Sequence, residues 1–454
     1  MAMTGMPQTL RADTLCAGPL RADPLCTGRP DREADPFLRF ATPFFGPFFG
    51  PFSGPLYGWP ADALPLPALR RGWSLLATTL GHHPPVAAVK EQWIDGPEGE
   101  ILLRVYTPLS SPSPHAGGEA APALLWCHGG GFVVGDLDAN DSICRGIARA
   151  SGAIVVAVRY RLVPEHSLYA GREDFLAALR WIARHGRKLG IDTSRLAIGG
   201  DSAGGNISAA VAQENLRRGG PKILRQILVY PATNLVDHVE TMWKNIGRFL
   251  PSAEAIGSFI DSLKRLVDHG EDMADPWLSP AFGQIPADLP PATILSAGFD
   301  PIRDDGLAYA AALRAASIPV ELLHYPGQFH GFLNFDSING SARDAVQRIG
   351  AALHRAFAAE EAPDRTLEIT DQPALPSLFQ PKILADAMTA AMLLGRATRQ
   401  WSDTAIRHLP PGTAGMADLL FQPWLMPMAM GGKTLALYLN GPSARQTWPL
   451  RTAA

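Results

Sequence analysis

A serine, an aspartate and a histidine, residue types that together can carry out nucleophilic acyl chemistry, each follow a predicted strand in this sequence. Ser202 is the central residue of a G-x-S-x-G pattern, whereas Asp300 and His330 each follow an apolar run that predicts a strand. A serine hydroxyl is a weak nucleophile until a base takes its proton, and the base needs an acid to orient it. The order serine, acid, histidine is typical of sheets whose serine lies on a sharp strand-to-helix turn. We therefore interpret Ser202 as a candidate nucleophile, His330 as its base and Asp300 as the group that orients the base.

The sequence around Ser202 favours such a turn. The apolar run RLAIG precedes the GDSAG pattern at 200–204, and helix-forming residues follow it through residue 220. Small residues on both sides let the strained backbone pass close to neighbouring strands. The alternative is a glycine-rich turn whose serine only caps the following helix.

A second glycine-rich pattern, HGGG at 128–131, follows the apolar run ALLWC. The tetrahedral intermediates of acyl transfer need N–H donors aimed at an oxyanion, and consecutive glycines let the backbone approach a substrate. Gly130 and Gly131 are the best donor candidates, and Ala203, the residue after the serine, supplies a third N–H. By itself, HGGG also fits a flexible loop or a phosphate-binding loop.

Other acids and histidines compete for the two supporting roles. Asp304 and Asp305 stand where a predicted helix carries its N-terminal charges. His324 lies inside a predicted strand, and His354 lies on a predicted helix. The two preferred residues instead follow strands, at the end of the sheet where the serine turn also lies.

Alternating strand and helix patterns between residues 86 and 360 must position these groups. Short apolar runs rich in β-branched residues predict strands, and segments of period 3.6 predict helices. The predicted strands are 101–108, 123–127, 153–160, 195–199, 226–230, 292–298 and 319–325. The predicted helices are 139–152, 172–190, 202–220, 304–317 and 341–359. This alternation indicates an α/β fold with a largely parallel sheet.

The two flanks and one insertion depart from the alternation. Residues 1–85 contain the short repeats LRADTLCAGP, LRADPLCTGR and FFGPFFGPFSGP, and they predict an irregular leader followed by an apolar segment that packs on another part of the protein or lies at an interface. Residues 235–280 interrupt the alternation and predict part of a lid over the carboxyl ends of the strands. Within a C-terminal extension of open role, 361–454, residues 363–373 predict a linker and 382–401 an amphipathic helix.

Composition limits the class of protein. The 454 residues carry a formal charge of −3, so a strongly basic nucleic-acid-binding protein is not expected. Glycine and proline number 44 and 41, above the usual share but below that of low-complexity chains. Four cysteines form neither a disulfide framework nor a metal-ligand pattern. Neither a signal peptide nor an uninterrupted apolar stretch of about 20 residues is visible, and a cytoplasmic protein is expected.

Five motifs together resemble the hormone-sensitive-lipase-like esterases, the bacterial family IV esterases of the α/β-hydrolase fold. They are HGGGFVVGD (128–136), YRLVPEH (160–166), GDSAGGN (200–206), DPIRDDG (300–306) and QFHGF (328–332). The resemblance covers about residues 86–360 and implies a mostly parallel eight-stranded sheet, flanked by helices, with a helical cap. The N-terminal segment and the insertion at 235–280 would build that cap.

The resemblance also implies a function for this chain. It is the hydrolysis of short- to medium-chain carboxylic esters through an acyl-enzyme, without a metal or an organic cofactor. Ser202, Asp300 and His330 would form the triad, and the three N–H donors named above would form the oxyanion hole. Glu165, in the second motif, would be a structural acid near the site. The family usually continues this motif with proline and phenylalanine, and SLYAG departs from that pattern.

Alternatives remain at three points. The chain could be a non-catalytic ligand-binding protein on the same fold, although the presence of His330 argues against this. The same chemistry could act on a lactone, thioester, amide or polymer ester. The resembled family allows a homodimer, and the C-terminal extension either packs on the hydrolase, which we favour, or docks to a hydrophobic surface.

Overall fold

The chain is described by a computed structural model over residues 66–109, 120–236 and 270–370. Nine strands and six α-helices lie in these three ranges. The strands are β1 (Ala88–Gly96), β2 (Gly99–Thr107), β3 (Ala121–Cys127), β4 (Ile154–Arg159), β5 (Ile191–Asp201), β6 (Gln226–Val229), β7 (Ala292–Phe299), β8 (Val320–Phe329) and β9 (Arg365–Glu368). The helices are α1 (Leu66–Leu80), α2 (Asp141–Ser151), α3 (Leu168–His185), α4 (Ala203–Arg217), α5 (Arg303–Ala315) and α6 (Gly340–Phe357).

All nine strands of the described ranges form one sheet in the order β1-β2-β4-β3-β5-β6-β7-β8-β9. Strand β2 runs antiparallel to both β1 and β4, and the remaining neighbours are parallel. The predicted mostly parallel sheet with flanking helices is therefore confirmed. The expected count of eight strands is too low by the short strand β9.

The central strands are buried on both faces because helices cover both sides of a parallel sheet. Leu124, Val155 and Ile198, on three neighbouring strands, are fully buried. This burial explains why the three strands read as continuous apolar runs rather than as alternating patterns. The serine turn and the HGGG loop both follow these central strands, so the best-packed part of the sheet supports them.

Strand β8 extends four residues beyond its predicted end. Pro326 and Gly327 suggested that the strand stops at residue 325, but the chain stays in the sheet until Phe329, which pairs with Phe299 across a register shift in β7. His330 therefore follows the last residue of the strand directly. Its position is set by the sheet rather than by a free loop.

Three elements were not predicted. Helix α1 lies within the segment expected to be irregular leader and cap, and β9 lies within the predicted linker. Strand β1 is mostly exposed and carries few buried apolar residues, so its pattern is weak. Helix α1 and strand β9 are held by contacts with residues distant in sequence, which local pattern does not reveal, whereas β1 pairs with the adjacent strand β2.

Several expectations fall on residues outside the described ranges. They concern the leader and its repeats at 1–65, most of the insertion (237–269), and the C-terminal extension after residue 370 with its expected helix. The helical cap and the role of the extension therefore stay predictions. Among the described ranges, no helix is both long and apolar enough to cross a membrane.

Glu321 of β8 is the centre of a group of charged side chains at the edge of the sheet that β9 forms. Its side chain is almost fully buried and accepts hydrogen bonds at 2.6 Å from Arg355 of α6 and at 2.6 Å from Arg365 of β9. Glu321 also interacts with the buried side chain of Arg225. Burial lowers the pKa of Arg225, and the negative charge of Glu321 opposes this lowering. Glu321→Gln should lower the free energy of unfolding by about 3 kcal/mol, since it leaves buried positive charge unpaired.

The matched change is Arg365→Ala, which removes a half-exposed partner and leaves Glu321 paired with Arg355. It should cost about 1 kcal/mol or less. Urea unfolding followed by circular dichroism measures both values. Equal losses for the two variants would contradict the assignment of Glu321 as the centre of this charge cluster.

Candidate active site

Ser202 occupies the turn between β5 and α4 in a backbone conformation that side chains avoid. Its dihedral angles are φ 56° and ψ −119°, a conformation that costs on the order of 1–3 kcal/mol. The Ser202 N–H donates to the Val229 carbonyl at 2.8 Å, and its carbonyl accepts from the Asn206 N–H at 3.0 Å. The strained residue is thus held by β6 on one side and by the first turn of α4 on the other.

Glycines flank the serine because the carboxyl end of β3 passes very close to the turn. A Cβ placed on Gly200 or Gly204 would lie 2.4 Å or 2.0 Å from the carbonyl oxygen of Cys127. No side chain fits at such distances, so the G-x-S-x-G pattern is a requirement of packing between β3, β5 and α4. The local prediction from this pattern is confirmed in its physical detail.

The three residues expected to cooperate are within hydrogen-bonding distance of one another. The Ser202 Oγ lies 2.8 Å from His330 Nε2, and His330 Nδ1 lies 2.8 Å from Asp300 Oδ2. Asp300 is fully buried, and its second oxygen accepts from the Ile302 N–H at 2.8 Å. A carboxylate at Nδ1 favours the tautomer whose proton is on Nδ1, which leaves Nε2 free to accept from the serine hydroxyl.

The imidazole of His330 is placed by the end of β8 and by an aromatic neighbour. Gly331 follows with φ 83°, a left-handed conformation that turns the chain away immediately. The ring of buried Tyr230 lies 4.8 Å from the imidazole, centroid to centroid. The His330 side chain is 29% exposed, whereas its acid partner Asp300 is inaccessible to water. Solvent can therefore reach the His330 imidazole but not the Asp300 carboxylate.

The HGGG loop has the shape of an anion-binding loop. Gly130 and Gly131 have φ 120° and 61°, and the Gly130 carbonyl accepts from the N–H groups of Val133 and Val134 at 3.1 and 2.9 Å. A Cβ on Gly130 would lie 2.1 Å from the Val134 carbonyl oxygen, so only glycine fits there. Within the described ranges, the N–H groups of Gly130 and Gly131 have no protein acceptor, which leaves them able to bind a ligand.

Asp201, whose role the sequence did not suggest, connects the serine turn to this loop. Its Oδ1 accepts the Gly129 N–H at 2.9 Å, and a Cβ on Gly129 would lie 2.5 Å from Oδ2. Burial raises the pKa of Asp201 to about 6, although the Gly129 N–H and the charge of His330 oppose that rise. Asp201 fills the first x of the G-x-S-x-G pattern, a position open to any residue type, so the pattern carries no signal for it.

His128 is a buried neutral anchor of the same loop. Its Nδ1 donates to the Gly129 carbonyl at 2.8 Å, and its ring stacks on Tyr160 at 4.3 Å between centroids. The Tyr160 hydroxyl donates to the His128 carbonyl at 2.9 Å. Burial lowers the pKa of His128 to about 4, so the ring is uncharged at neutral pH. The motif residue Tyr160 therefore supports the loop from the strand end of β4.

Arg172 of α3 is the buried cation beneath the site. It donates to the Leu168 carbonyl at 2.6 Å, to the Asn206 side chain and to the Leu278 carbonyl at 3.1 Å. Its guanidinium also lies 5.2 Å from the centre of the Phe132 ring, in the HGGG loop motif. The burial of this group lowers its pKa to about 10, yet it remains charged at neutral pH. Arg172 thus joins α3, α4 and the segment after residue 270.

The competing residues lie elsewhere. Asp304 and Asp305 are in the first turn of α5, where Asp304 pairs with Arg303 at 2.8 Å. His324 is buried in β8 and lies 2.8 Å from the Ser296 hydroxyl, and His354 is on α6. The preference for Asp300 and His330 over these residues agrees with the geometry. In the described parts of the chain, no three His, Cys, Asp or Glu side chains are grouped so as to hold a metal.

The contribution of Asp201 to the free energy of unfolding should decrease as pH rises, which is the reverse of the effect of an aspartate whose pKa is lowered by folding. An unfolded aspartate titrates near 3.9, whereas burial raises the pKa of folded Asp201 to about 6. The folded state therefore binds more protons between these values, and the contribution of Asp201 to the free energy of unfolding falls as pH rises through this window, by about 3 kcal/mol in total.

Asp201→Asn removes this titration. Urea unfolding at each pH gives the free energies of unfolding of the wild type and of the variant. The wild-type value minus the variant value should decrease from pH 4.5 to pH 7. A difference that stays constant over this range would show that the carboxylate is not buried as described.

Comparison with known proteins gives the same picture. The family model described as α/β hydrolase fold matches residues 124–334. The esterase LipI of Mycobacterium tuberculosis is 41% identical over 271 residues, which are 60% of this chain and 82% of LipI. A Pseudomonas putida protein named ethyl acetate hydrolase is 33% identical over 262 residues, 57% of this chain and 80% of that protein.

A solved structure agrees with these relatives. The Pyrobaculum calidifontis esterase has a TM-score of 0.57 and 34% identity, and the match covers 64% of this chain and 94% of that esterase. The range of the family model includes both glycine-rich turns, at 128–131 and 200–204. The chain therefore belongs to the hormone-sensitive-lipase-like esterases of the α/β-hydrolase fold.

Proposed function

We propose that the protein is a serine carboxylesterase whose catalytic residues are Ser202, His330 and Asp300. The observation that carries the proposal is the 2.8 Å approach of the serine hydroxyl to His330 Nε2. A second contact of 2.8 Å, between His330 Nδ1 and the buried carboxylate of Asp300, extends this series of hydrogen bonds to the acid. A nucleophile, its base and the orienter of the base are the three parts that this chemistry needs.

The reaction proceeds by acyl transfer in two halves. The Ser202 hydroxyl attacks the ester carbonyl while His330 Nε2 takes its proton, and buried Asp300 stabilises the resulting imidazolium. His330 then gives the proton to the leaving alcohol, which departs and leaves the acyl group on Ser202. Water repeats the sequence: His330 takes its proton, the acyl group is released as a carboxylic acid, and Ser202 regains its hydrogen.

The negative charge of each tetrahedral intermediate is held by backbone donors. We assign this role to the N–H groups of Gly130, Gly131 and Ala203. The N–H groups of the two glycines, which have no protein acceptor in the described ranges, support their assignment. Ala203 is the first residue of α4, whose N-terminus favours negative charge. Donors held in place before the reaction are worth about a hundredfold to a thousandfold in rate each.

A non-catalytic ligand-binding protein on the same fold is the alternative from a different class. Such a protein has no need for a histidine within hydrogen-bonding distance of the serine. Strain at Ser202 also argues for catalysis, because strained backbone persists where a side chain must be presented in one exact direction. The same chemistry on a lactone, thioester, amide or polymer ester remains compatible with these residues.

Short acyl esters are the proposed substrates. One relative with 33% identity carries the name ethyl acetate hydrolase, and this supports a small acyl group. We further propose that the N-terminal segment and the insertion at 235–280 form a helical cap over the site and limit the acyl length. The catalytic domain would then span residues 86–360, extended by β9.

Location and assembly belong to the same proposal. A reducing, cytoplasmic compartment is supported by Cys127 and Cys144, which are free and buried in the described part of the chain. A small-molecule ester is the only partner that the catalytic residues require. A homodimer, and docking of the C-terminal extension to a hydrophobic surface, remain separate proposals about residues beyond the site.

Replacement of the nucleophile tests the proposal directly. Ser202→Ala should reduce hydrolysis of p-nitrophenyl acetate by at least about a thousandfold, because no other group in the site can form the acyl-enzyme. Labelling by a fluorophosphonate should be lost at the same time. A folded variant that keeps its activity would contradict the assignment of Ser202.

Ser202→Gly is the matched control for strain at this position. Both variants lack the hydroxyl, but glycine adopts φ 56° freely and alanine does not. Both should be inactive, and the glycine variant should unfold with a free energy about 1 kcal/mol above that of the alanine variant. Equal stabilities would mean that the turn is not strained.

A series of p-nitrophenyl esters from acetate to palmitate tests the acyl length. We expect kcat/KM to be highest between acetate and hexanoate and to fall with longer chains, because a cap over the site leaves limited room for the acyl group. The measurement needs only the purified full-length protein. A maximum at palmitate would contradict the proposed substrate class while leaving the triad intact.

A further inference from the structure

Arg70 of α1 contacts two loops of the active site at once. Its Nε donates to the Val133 carbonyl at 2.8 Å, and its Nη2 donates to the Val163 carbonyl at 3.0 Å. The same guanidinium binds both carboxylate oxygens of Glu165, at 2.7 and 2.8 Å. Val133 belongs to the HGGG loop motif, whereas Val163 and Glu165 belong to the YRLVPEH motif. One rigid, planar group therefore sets the separation of the two loops.

The HGGG loop depends on such external contacts. Its glycines contribute no side chains to packing, so hydrogen bonds must hold its shape. Asp201 fixes one end of the loop through the Gly129 N–H at 2.9 Å, and Arg70 fixes the other end through the Val133 carbonyl. A further bond, from the Val163 N–H to the Phe132 carbonyl at 3.0 Å, links the two loops directly.

Helix α1 also reaches the loop that follows the catalytic base. The carbonyl of Leu80, at the end of α1, accepts from the Ser337 N–H at 3.2 Å and from its hydroxyl at 2.6 Å. The His82 N–H donates to the Asp336 carboxylate at 2.7 Å. These residues follow the short 3₁₀ turn Phe332–Phe335 just after His330. One helix thus spans from the oxyanion loop to the histidine loop.

We infer that Arg70 is a positioning residue that holds the oxyanion donors at their working distance from Ser202 and His330. The inference rests on the proposed function and adds to it a residue from outside the five motifs. Arg70 touches neither the substrate nor the reacting atoms, and it acts only through the Val133 carbonyl and the loop connected to it. An error of about 1 Å in the position of such donors can cost about a hundredfold in rate.

Removal of the guanidinium should therefore affect the transition state more than the bound substrate. Arg70→Met should lower kcat for p-nitrophenyl acetate by about 10- to 100-fold and change KM little. The affinity of an alkyl trifluoromethyl ketone, which forms a tetrahedral oxyanion adduct with the serine, should fall by the same factor. The affinity of the corresponding secondary amide, which binds without forming an oxyanion, should stay near that of the wild type.

Three further measurements separate positioning from loss of structure. Arg71→Met removes the same charge from an exposed neighbour on α1 and should leave all of these values unchanged. Glu165→Gln keeps both carbonyl contacts of Arg70 and should cost less than threefold in kcat. In an Arg70→Ala variant, millimolar methylguanidinium should restore part of kcat, which a globally disrupted variant cannot regain.

The possible results divide clearly. Parallel losses in kcat and in trifluoromethyl ketone affinity, with rescue by methylguanidinium, support the inference. An Arg70→Met enzyme as active as Arg71→Met would overturn it, as would equal losses for the ketone and the amide. Failure of the proposed function is distinguishable, because the wild type would then show no hydrolysis that depends on Ser202 and no fluorophosphonate labelling at that residue.

Discussion

The strained backbone of Ser202 is the constraint on which the rest of the site depends. A positive φ at a residue with a side chain persists only if its surroundings forbid relaxation. Here the hydrogen bond from Ser202 to Val229 and the close approach of Gly200 and Gly204 to the Cys127 carbonyl provide that restraint. The same β3 carbonyl lies directly before the HGGG loop. The position of Ser202 and the position of the HGGG loop therefore both depend on one packing contact.

The charged and polar groups around this turn differ in their exposure to solvent. Asp300 and Asp201 are buried, whereas His330, Gly130 and Gly131 are partly accessible. Burial of Asp201 is costly by itself, and the raised pKa reflects this cost. The charge of His330 offsets part of this cost, because opposite charges attract at short range.

Sequence patterns predicted the parts of the structure that are determined locally. The serine turn, the glycine loop and the order of strands and helices all followed from short-range pattern, and they agree with the structure. The placement of Asp300 and His330 followed from their position after apolar runs. Such runs are short, rich in β-branched residues and bounded by turn residues, which favours buried strands over buried helices.

Long-range contacts determine what the sequence could not predict. Strand β9 has only four residues, and its place in the sheet depends on the pairing of Arg365 with buried Glu321. The sequence of helix α1 is that of an ordinary short amphipathic segment. Its role depends on the hydrogen bonds from Arg70 to two distant loops. Asp201 occupies a variable position of its motif. In each case the informative partner lies more than 40 residues away, beyond the reach of any local pattern.

Strand β9 also changes what the sheet offers to other chains. Without it, the long and fully buried strand β8 would present a row of open amide and carbonyl groups, which is a template for pairing with a foreign strand. With it, β8 is enclosed between β7 and β9, and the border of the described sheet on that side is a short, charged strand. The four residues of β9, two of them charged, thus make the edge beside β8 a poor template for pairing with another chain.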